Sequence, residues 1–327
     1  MSGSGSVARP RCIAIVGPTA SGKTGLAIEV ARSLSGEIVS MDSRQAYRGF
    51  RVGTAAPTDE ELSRAPHHGV GILEPDERYG AGRFAELAAS WLDRIEARGN
   101  VPILAGGTGL FLRALTHPMF REPEADPARR DAIRRWLDRR DEDELARWAS
   151  RLDPDTPSDP QRAGRTVELS LLSGRPLSWW LEHGEPERSA LAVAVFAIEL
   201  PADALRARIE RRARRLIESG AWEAEVRSLE RAGHARSRAF DALGYADVRD
   251  LVHGRIDRET AIERIFRSTW AYARRQRTWF RHQLPEGASR LDGSEPTEQL
   301  ARRIRREWRH AGRRRRAGPT PENTGRS

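Results

Sequence analysis

Residues 17–24 read Gly17-Pro18-Thr19-Ala20-Ser21-Gly22-Lys23-Thr24. This octet fits the pattern G-x-x-x-x-G-K-[ST]. An apolar run, Cys12-Ile-Ala-Ile-Val16, precedes it. Leu26, Ile28, Val30, Ala31 and Leu34 follow at helical spacing before Gly36. A buried strand, a glycine-rich loop and a helix over 24–35 are the setting in which the pattern acts as a phosphate-binding loop (P-loop). The backbone N–H groups of such a loop and the positive end of its helix hold a diphosphate or triphosphate. The lysine neutralises phosphate charge, and the threonine hydroxyl ligates magnesium. Lys23 is the sole lysine among 56 basic residues. A coding bias toward arginine accounts for the rest, so runs of Arg carry little weight as a nucleic-acid signal. The position that stays Lys needs a compact ammonium rather than a planar fork.

Working outward, the pattern predicts further strands at 37–41, 101–105 and 191–200. The third strand enters Gly106-Gly107-Thr108-Gly109. Strands alternating with helices imply an α/β fold: a P-loop NTPase-like parallel sheet flanked by helices. From 118 to 189 the pattern is helical, with Ile133, Trp136 and Leu137, then Leu145, Trp148, Ala149 and Leu152. Proline-rich turns at 118–127 and 154–160 bracket it, and we read a helical insertion domain. Helices are predicted at 202–219, 221–232, 239–253 and 258–283. The core domain is therefore discontinuous, 11–117 and 190–310. Residues 1–10 read as a disordered leader. Residues 311–327, with Arg313–Arg316, read as a disordered basic tail whose charges are solvated.

Composition narrows the classes. The chain has 327 residues, 31% charged and 38% hydrophobic. No stretch approaches the roughly 20 apolar residues of a membrane helix, and the first ten lack the apolar core of a secretory signal. One cysteine, Cys12, excludes a disulfide framework and paired-thiolate zinc sites. A cytoplasmic protein is the expectation. The net charge of +9 admits an anionic partner without demanding one.

Asp42 directly follows a strand end, at the edge where open α/β sheets place their ligands. There it serves as a general base, a magnesium partner or a plain turn aspartate. Ser43, Arg44 and Gln45 form a polar cluster after it, and Thr108 should face the same edge. His67-His68 reads as a loop pair rather than a metal site, and the nine tryptophans read as packing. The P-loop alone leaves kinase, ATPase, GTPase and a transferase with a diphosphate leaving group all open. No guanine-recognition signature is present, and no apolar strand ends in the usual second carboxylate unless Asp42 supplies it.

Further motifs occur in order: Asp42-Ser-Arg-Gln-x-Tyr-Arg-Gly49, Gly53-Thr-Ala55, Pro66-His67-His68 and Gly106-Gly-Thr-Gly-Leu110. Then come Ala125-Asp-Pro127, Asp159-Pro-Gln-Arg162 leading to Arg165, Gly244-Tyr245, Tyr272-Ala-Arg-Arg-Gln276 and Thr278-Trp-Phe280. Over roughly 11–292 the chain resembles the tRNA dimethylallyltransferases (isopentenyl-tRNA transferases). The resemblance implies transfer of a dimethylallyl group from dimethylallyl diphosphate to N6 of adenosine 37 in tRNA. It implies that the loop 17–24 holds the donor diphosphate, with magnesium at Thr24. Lys23 and Thr24 would act on the leaving group, and Asp42 would take the N6 proton. Arg208 and Arg212 would lie over the diphosphate. Asp42, Ser43, Arg44, Gln45, Thr108, Arg130, Gln161, Arg162 and Arg165 would lie along the tRNA, with the insertion gripping the anticodon stem-loop. A monomer with no membrane contact is expected. The chain departs from the family pattern at Ala56, at Thr156-Pro157-Ser158, at Arg214 and at Asp241. The alternatives are an adenylate dimethylallyltransferase, which needs no RNA-gripping insertion; a small-molecule P-loop kinase, which binds ATP; and a non-catalytic RNA-binding protein.

Overall fold

The computed structural model describes residues 10–117, 119–155, 160–186 and 189–313, without the side chains of 160, 161, 312 and 313. The leader up to 9, the tail from 314, residues 156–158 and the side chain of Gln161 lie outside the described residues.

Six parallel strands form one sheet in the order β3-β2-β4-β1-β5-β6. They are β1 (Cys12–Val16), β2 (Gly36–Ser40), β3 (His67–His68), β4 (Val101–Gly106), β5 (Val193–Glu199) and β6 (Ser289–Asp292). All five β1 side chains are buried. A strand covered on both faces reads as a continuous apolar run, which is why β1 stands out in the sequence. Helix α1 (Lys23–Leu34) buries Leu26, Ala27, Ile28, Val30 and Ala31 on the sheet. The chain passes from β1 to β2 on one side and from β4 to β5 on the other. The carboxyl ends of β1, β4 and β2 therefore open onto one crevice, the place where such sheets bind ligands.

Helices α2 (Asp59–Arg64), α3 (Ala81–Ala97) and α4 (Gly109–Thr116) complete the first half of the core. The insertion holds α5 (Pro127–Leu137), α6 (Glu142–Leu152), α7 (Pro160–Ser173) and α8 (Leu177–His183). Ala149, Ala163 and Val167 centre its own apolar cluster. The chain divides into two compact units, with cuts between Thr116 and His117 and between Ala190 and Leu191. After β5 come α9 (Ala202–Glu218), α10 (Ala221–Arg231), α11 (Tyr245–Val252), α12 (Arg258–His282) and, beyond β6, α13 (Thr297–Arg313).

Three sequence expectations need correction. The helix predicted over 239–253 is one 3-10 turn, Arg238–Asp241, followed by α11. Gly244 has φ +85°, and a Cβ there would sit 2.4 Å from the Trp222 ring, so the chain turns left-handed and restarts. His67 and His68 form the edge strand β3, with His68 Nε2 2.7 Å from Glu37 Oε2. Residues 311–313, predicted to belong to the tail, continue α13.

Candidate functional site

The crevice is a cleft of about 1420 Å³ lined in part by Thr19, Ala20, Gly22, Lys23 and Thr24 of the loop 17–24. Gly22, at φ 97°, caps α1, so the first amides of the helix are free of helical partners. Ala20 also lines the cleft and is held at φ 62°, a strained backbone for a residue with a Cβ. Lys23 Nζ donates to the Pro18 carbonyl at 2.7 Å, which folds the side chain back over its own loop. Burial pulls its pKa down to about 8; the Asp42 carboxylate opposes this and the Arg212 guanidinium adds to it. Thr24 sits beside it on the cleft wall.

Asp42 lies two residues past β2. Its Oδ1 accepts from the backbone N–H of Arg44 at 2.9 Å and of Gln45 at 3.4 Å. Among the described residues no hydrogen bond engages Oδ2. The turn role and an available carboxylate oxygen therefore coexist. Thr108 Oγ1 accepts from the Ser43 N–H at 3.3 Å. Burial, with the Asp42 charge next, pushes the Tyr272 phenol up to about 12, so it stays a protonated donor. Gln45 accepts from Ser40 Oγ and donates to the Ala55 carbonyl at 3.0 Å, pinning the 51–57 loop that forms the cleft rim. The Arg44 guanidinium turns to the Arg238 carbonyl instead.

Helix α9 supplies the opposite wall with Arg208, Arg211, Arg212, Arg214 and Arg215. Arg208 donates to the carbonyls of Ser21 and Gly293, tying α9 to the loop. Arg212 has no protein hydrogen bond among the described residues. Burial lowers its pKa, against the pull of Asp42. A guanidinium held in that way is a ready receptor for a phosphate oxygen. Arg214, one of the family departures, pairs with Glu259 at 2.8 Å.

Gln276 is a feature that the sequence motif contained without revealing its role. It is buried, its Oε1 accepts from the Thr19 N–H at 2.8 Å, and its Nε2 donates to the Gly107 carbonyl at 2.8 Å. It clamps the loop 17–24 to the loop after β4. Glu225 was not visible in any motif. It accepts from the N–H groups of Arg51 and Val52 and from the Tyr245 hydroxyl, bracing the rim loop.

The insertion residues form a separate group. Arg130 pairs with Glu122 at 2.6 Å, and Arg165 pairs with Glu122 at 2.6 Å and Glu168 at 3.1 Å. Arg134 also holds Glu168, at 2.6 Å. Arg162 is exposed and makes no ion pair among the described residues.

The sequence profile of the IPP transferase family matches residues 45–283, and that of the isopentenyl transferases matches 10–67. A tRNA dimethylallyltransferase of Anaeromyxobacter sp. (strain K) is 39% identical over 299 residues, covering 90% of this chain and 97% of that protein. One from Thioalkalivibrio sulfidiphilus (strain HL-EbGR7) is 41% identical over 282 residues, 83% and 87% of the two chains. The crystal structure of tRNA delta(2)-isopentenylpyrophosphate transferase from Staphylococcus epidermidis matches with a TM-score of 0.65 at 30% identity. That match covers 91% of this chain and 98% of the other. A eukaryotic dimethylallyltransferase acting on tRNA shares the fold, with a TM-score of 0.75 at 22% identity over 95% of this chain and 81% of that one.

Proposed function

Since the chain belongs to the IPP transferase family, the tRNA dimethylallyltransferases, we propose that it prenylates N6 of adenosine 37 in tRNA with dimethylallyl diphosphate as donor. The observation that carries this reading is the joining of Lys23, Asp42 and Arg212 in one cleft above the loop 17–24. An anion receptor and a carboxylate base are what a diphosphate leaving group and an amine nucleophile require together.

In the reaction the N6 nitrogen attacks the allylic carbon of the donor. The carbon–oxygen bond breaks, and its electron pair leaves with the diphosphate. The N6 proton passes to Asp42 and then to solvent. The exocyclic amine is a weak nucleophile, so a base at hydrogen-bond distance is needed as charge develops. The loop N–H groups and Arg212, with Lys23 and Arg208 turning from the Pro18, Ser21 and Gly293 carbonyls, would meet the negative charge growing on the leaving oxygen. The adenine must leave its stack for its N6 to reach Asp42 in the cleft. Thr108, Ser43, Arg44 and Gln45 would line its approach, and Arg130, Gln161, Arg162 and Arg165 would follow the anticodon stem-loop.

A magnesium ion suits this donor set. Among the described residues no three His, Cys, Asp or Glu side chains could cage a metal. Magnesium commonly takes one or two protein oxygens and completes its shell with phosphate and water, and the Thr24 hydroxyl is such an oxygen. When bound, the ion would neutralise diphosphate charge. Among the described residues no helix is long and apolar enough to cross a membrane. The proposal places a monomer in the cytoplasm, with its tRNA substrate.

The test is incubation with dimethylallyl diphosphate, magnesium and unmodified tRNA, followed by mass spectrometry of the nucleosides. The expected product is N6-(dimethylallyl)adenosine with release of diphosphate. Prenylation of free adenylate but not tRNA, or phosphoryl transfer from ATP, would replace the reading with one of its alternatives.

A further inference from the structure

The charge of the chain is unevenly placed. Residues 297–327 hold ten arginines against three glutamates, a net +7 of the chain's +9. The other 296 residues hold 46 basic and 44 acidic side chains. A bias toward arginine explains which basic residue is used. It does not explain why the surplus gathers in one segment.

Helix α13 occupies the described part of that segment. Its apolar face is already used: Leu300, Ala301 and Ile304 are buried in the cluster that holds Leu26 and Ile28 of α1, and Trp308 packs against them. On the outer face Arg302, Arg306 and Arg309 are exposed, three and four residues apart, so they form a stripe along one side. Among the described residues none of the three makes an ion pair or a side-chain hydrogen bond. Their neighbour Arg303, by contrast, pairs with Glu307 at 3.0 Å. Like charges one turn apart disfavour a helix. The helix dipole compensates cations in the last turn, not Arg302 in the second. The stripe is thus unfavourable for folding alone and favourable toward a polyanion.

We propose that the Arg302–Arg306–Arg309 face of α13 is a second contact surface for the RNA substrate, gripping its phosphate backbone without reading sequence. The proposal rests on the tRNA reading above. A lipid surface is the poorer occupant, because an interfacial helix needs a free apolar face and α13 has spent its own on the core.

The experiment combines Arg302→Gln, Arg306→Gln and Arg309→Gln in the full chain. It measures tRNA binding across a salt series, steady-state kinetics and the melting temperature. The expected result is a salt slope smaller by about 2 to 3 and a KM for tRNA raised on the order of tenfold. Turnover at saturating tRNA and affinity for the donor should hold, and the triple Arg→Lys variant should restore the slope. If the triple Gln variant melts early, Arg302→Gln alone carries the test, with a slope change of about 1. Unchanged slope and KM, in an enzyme that still prenylates tRNA, overturn the α13 surface and leave prenyl transfer standing. A wild-type chain that neither binds nor modifies tRNA removes both. Loss of binding to anionic lipid vesicles with tRNA binding intact assigns the face to a membrane and overturns the proposal as well.

Discussion

At the residue scale, the turn that Asp42 holds and the proton acceptance proposed for it are separated by one substitution. Asn at 42 keeps an Oδ1 to accept from the N–H groups of Arg44 and Gln45, so the turn should survive. It cannot take a proton from the substrate. Asp42→Asn should therefore bind donor and tRNA normally and lose roughly 10²-fold or more in turnover, readable in single-turnover assays. Full turnover with weakened binding would make Asp42 a positioning residue. Lys23 gives a pH prediction. In the ligand-free protein its pKa is held near 8, below the usual 10.5. Below pH 8 the ammonium is present to meet the diphosphate. Above it the free protein has lost that proton and must regain it on binding, so donor affinity should fall by up to about tenfold per pH unit. The stability of the ligand-free protein should move the other way between pH 8 and 10.5, because there the unfolded chain binds more protons. Calorimetric titration at pH 7 and pH 9, in buffers of differing ionisation enthalpy, reads both the loss and the proton uptake. Flat affinity without uptake would exclude Lys23 as the titrating contact. Lys23 and Thr24 could be singled out in the sequence because they belong to a loop with a fixed pattern, and Asp42 because it follows a strand end, and the fold brings all three to one cleft. Gln276 was less legible: it falls on the buried stripe of a long helix, where position alone suggests packing, and its clamp depends on two loops distant in sequence.

At the scale of elements, the legible parts were those with both faces buried or a long apolar period. The strand β1 and the helices α9, α10 and α12 fall within a residue or two of their predicted bounds. The edge strands β3 and β6 read His-His and Ser-Arg-Leu-Asp, and neither has an apolar run to detect. They pair only because a neighbouring strand offers a free edge. Helix α3 does carry a periodic signal, Phe84, Ala88, Trp91, Leu92 and Ile95, which a reading anchored on the phosphate loop passes over. The alignment of β2 and β4 rests on a close approach. A Cβ at Gly106 would lie 2.0 Å from the Met41 carbonyl oxygen, which is backbone and cannot swing away. Gly106→Ala should therefore part the two strand ends, costing about 1–3 kcal/mol or more, and displace the adjoining Asp42. A thermal melt and a turnover assay check this. An alanine variant with wild-type melting and turnover would mean that the strand ends have slack.

At the scale of the whole molecule, the two units divide what a substitution can affect. The cleft above the loop 17–24 lies entirely within the core unit, whereas Arg130, Arg134, Arg162 and Arg165 lie in the insertion. The family resemblance singled out Arg130, Arg162 and Arg165 but not Arg134, and it did not reveal Glu122 as the shared partner of Arg130 and Arg165, which lie 35 residues apart and meet it only in the folded insertion. Burial works to raise the pKa of Glu168, and Arg134 and Arg165 outweigh it, so the carboxylate stays ionised below its ordinary range. An arginine in that network is bound to its own fold before any RNA arrives. Arg165→Ala or Arg134→Ala should lower the melting temperature by a few degrees, since each strips a partner from a buried carboxylate. Exposed Arg162 carries no such duty. Arg162→Ala should leave the melt unchanged, raise KM for tRNA and reduce the salt slope of tRNA binding by about 1. Donor affinity should hold in all three variants, because none touches the cleft. A normal salt slope and KM in Arg162→Ala would show that Arg162 is not a tRNA contact, and would return weight to a prenyl transferase that takes the free nucleotide.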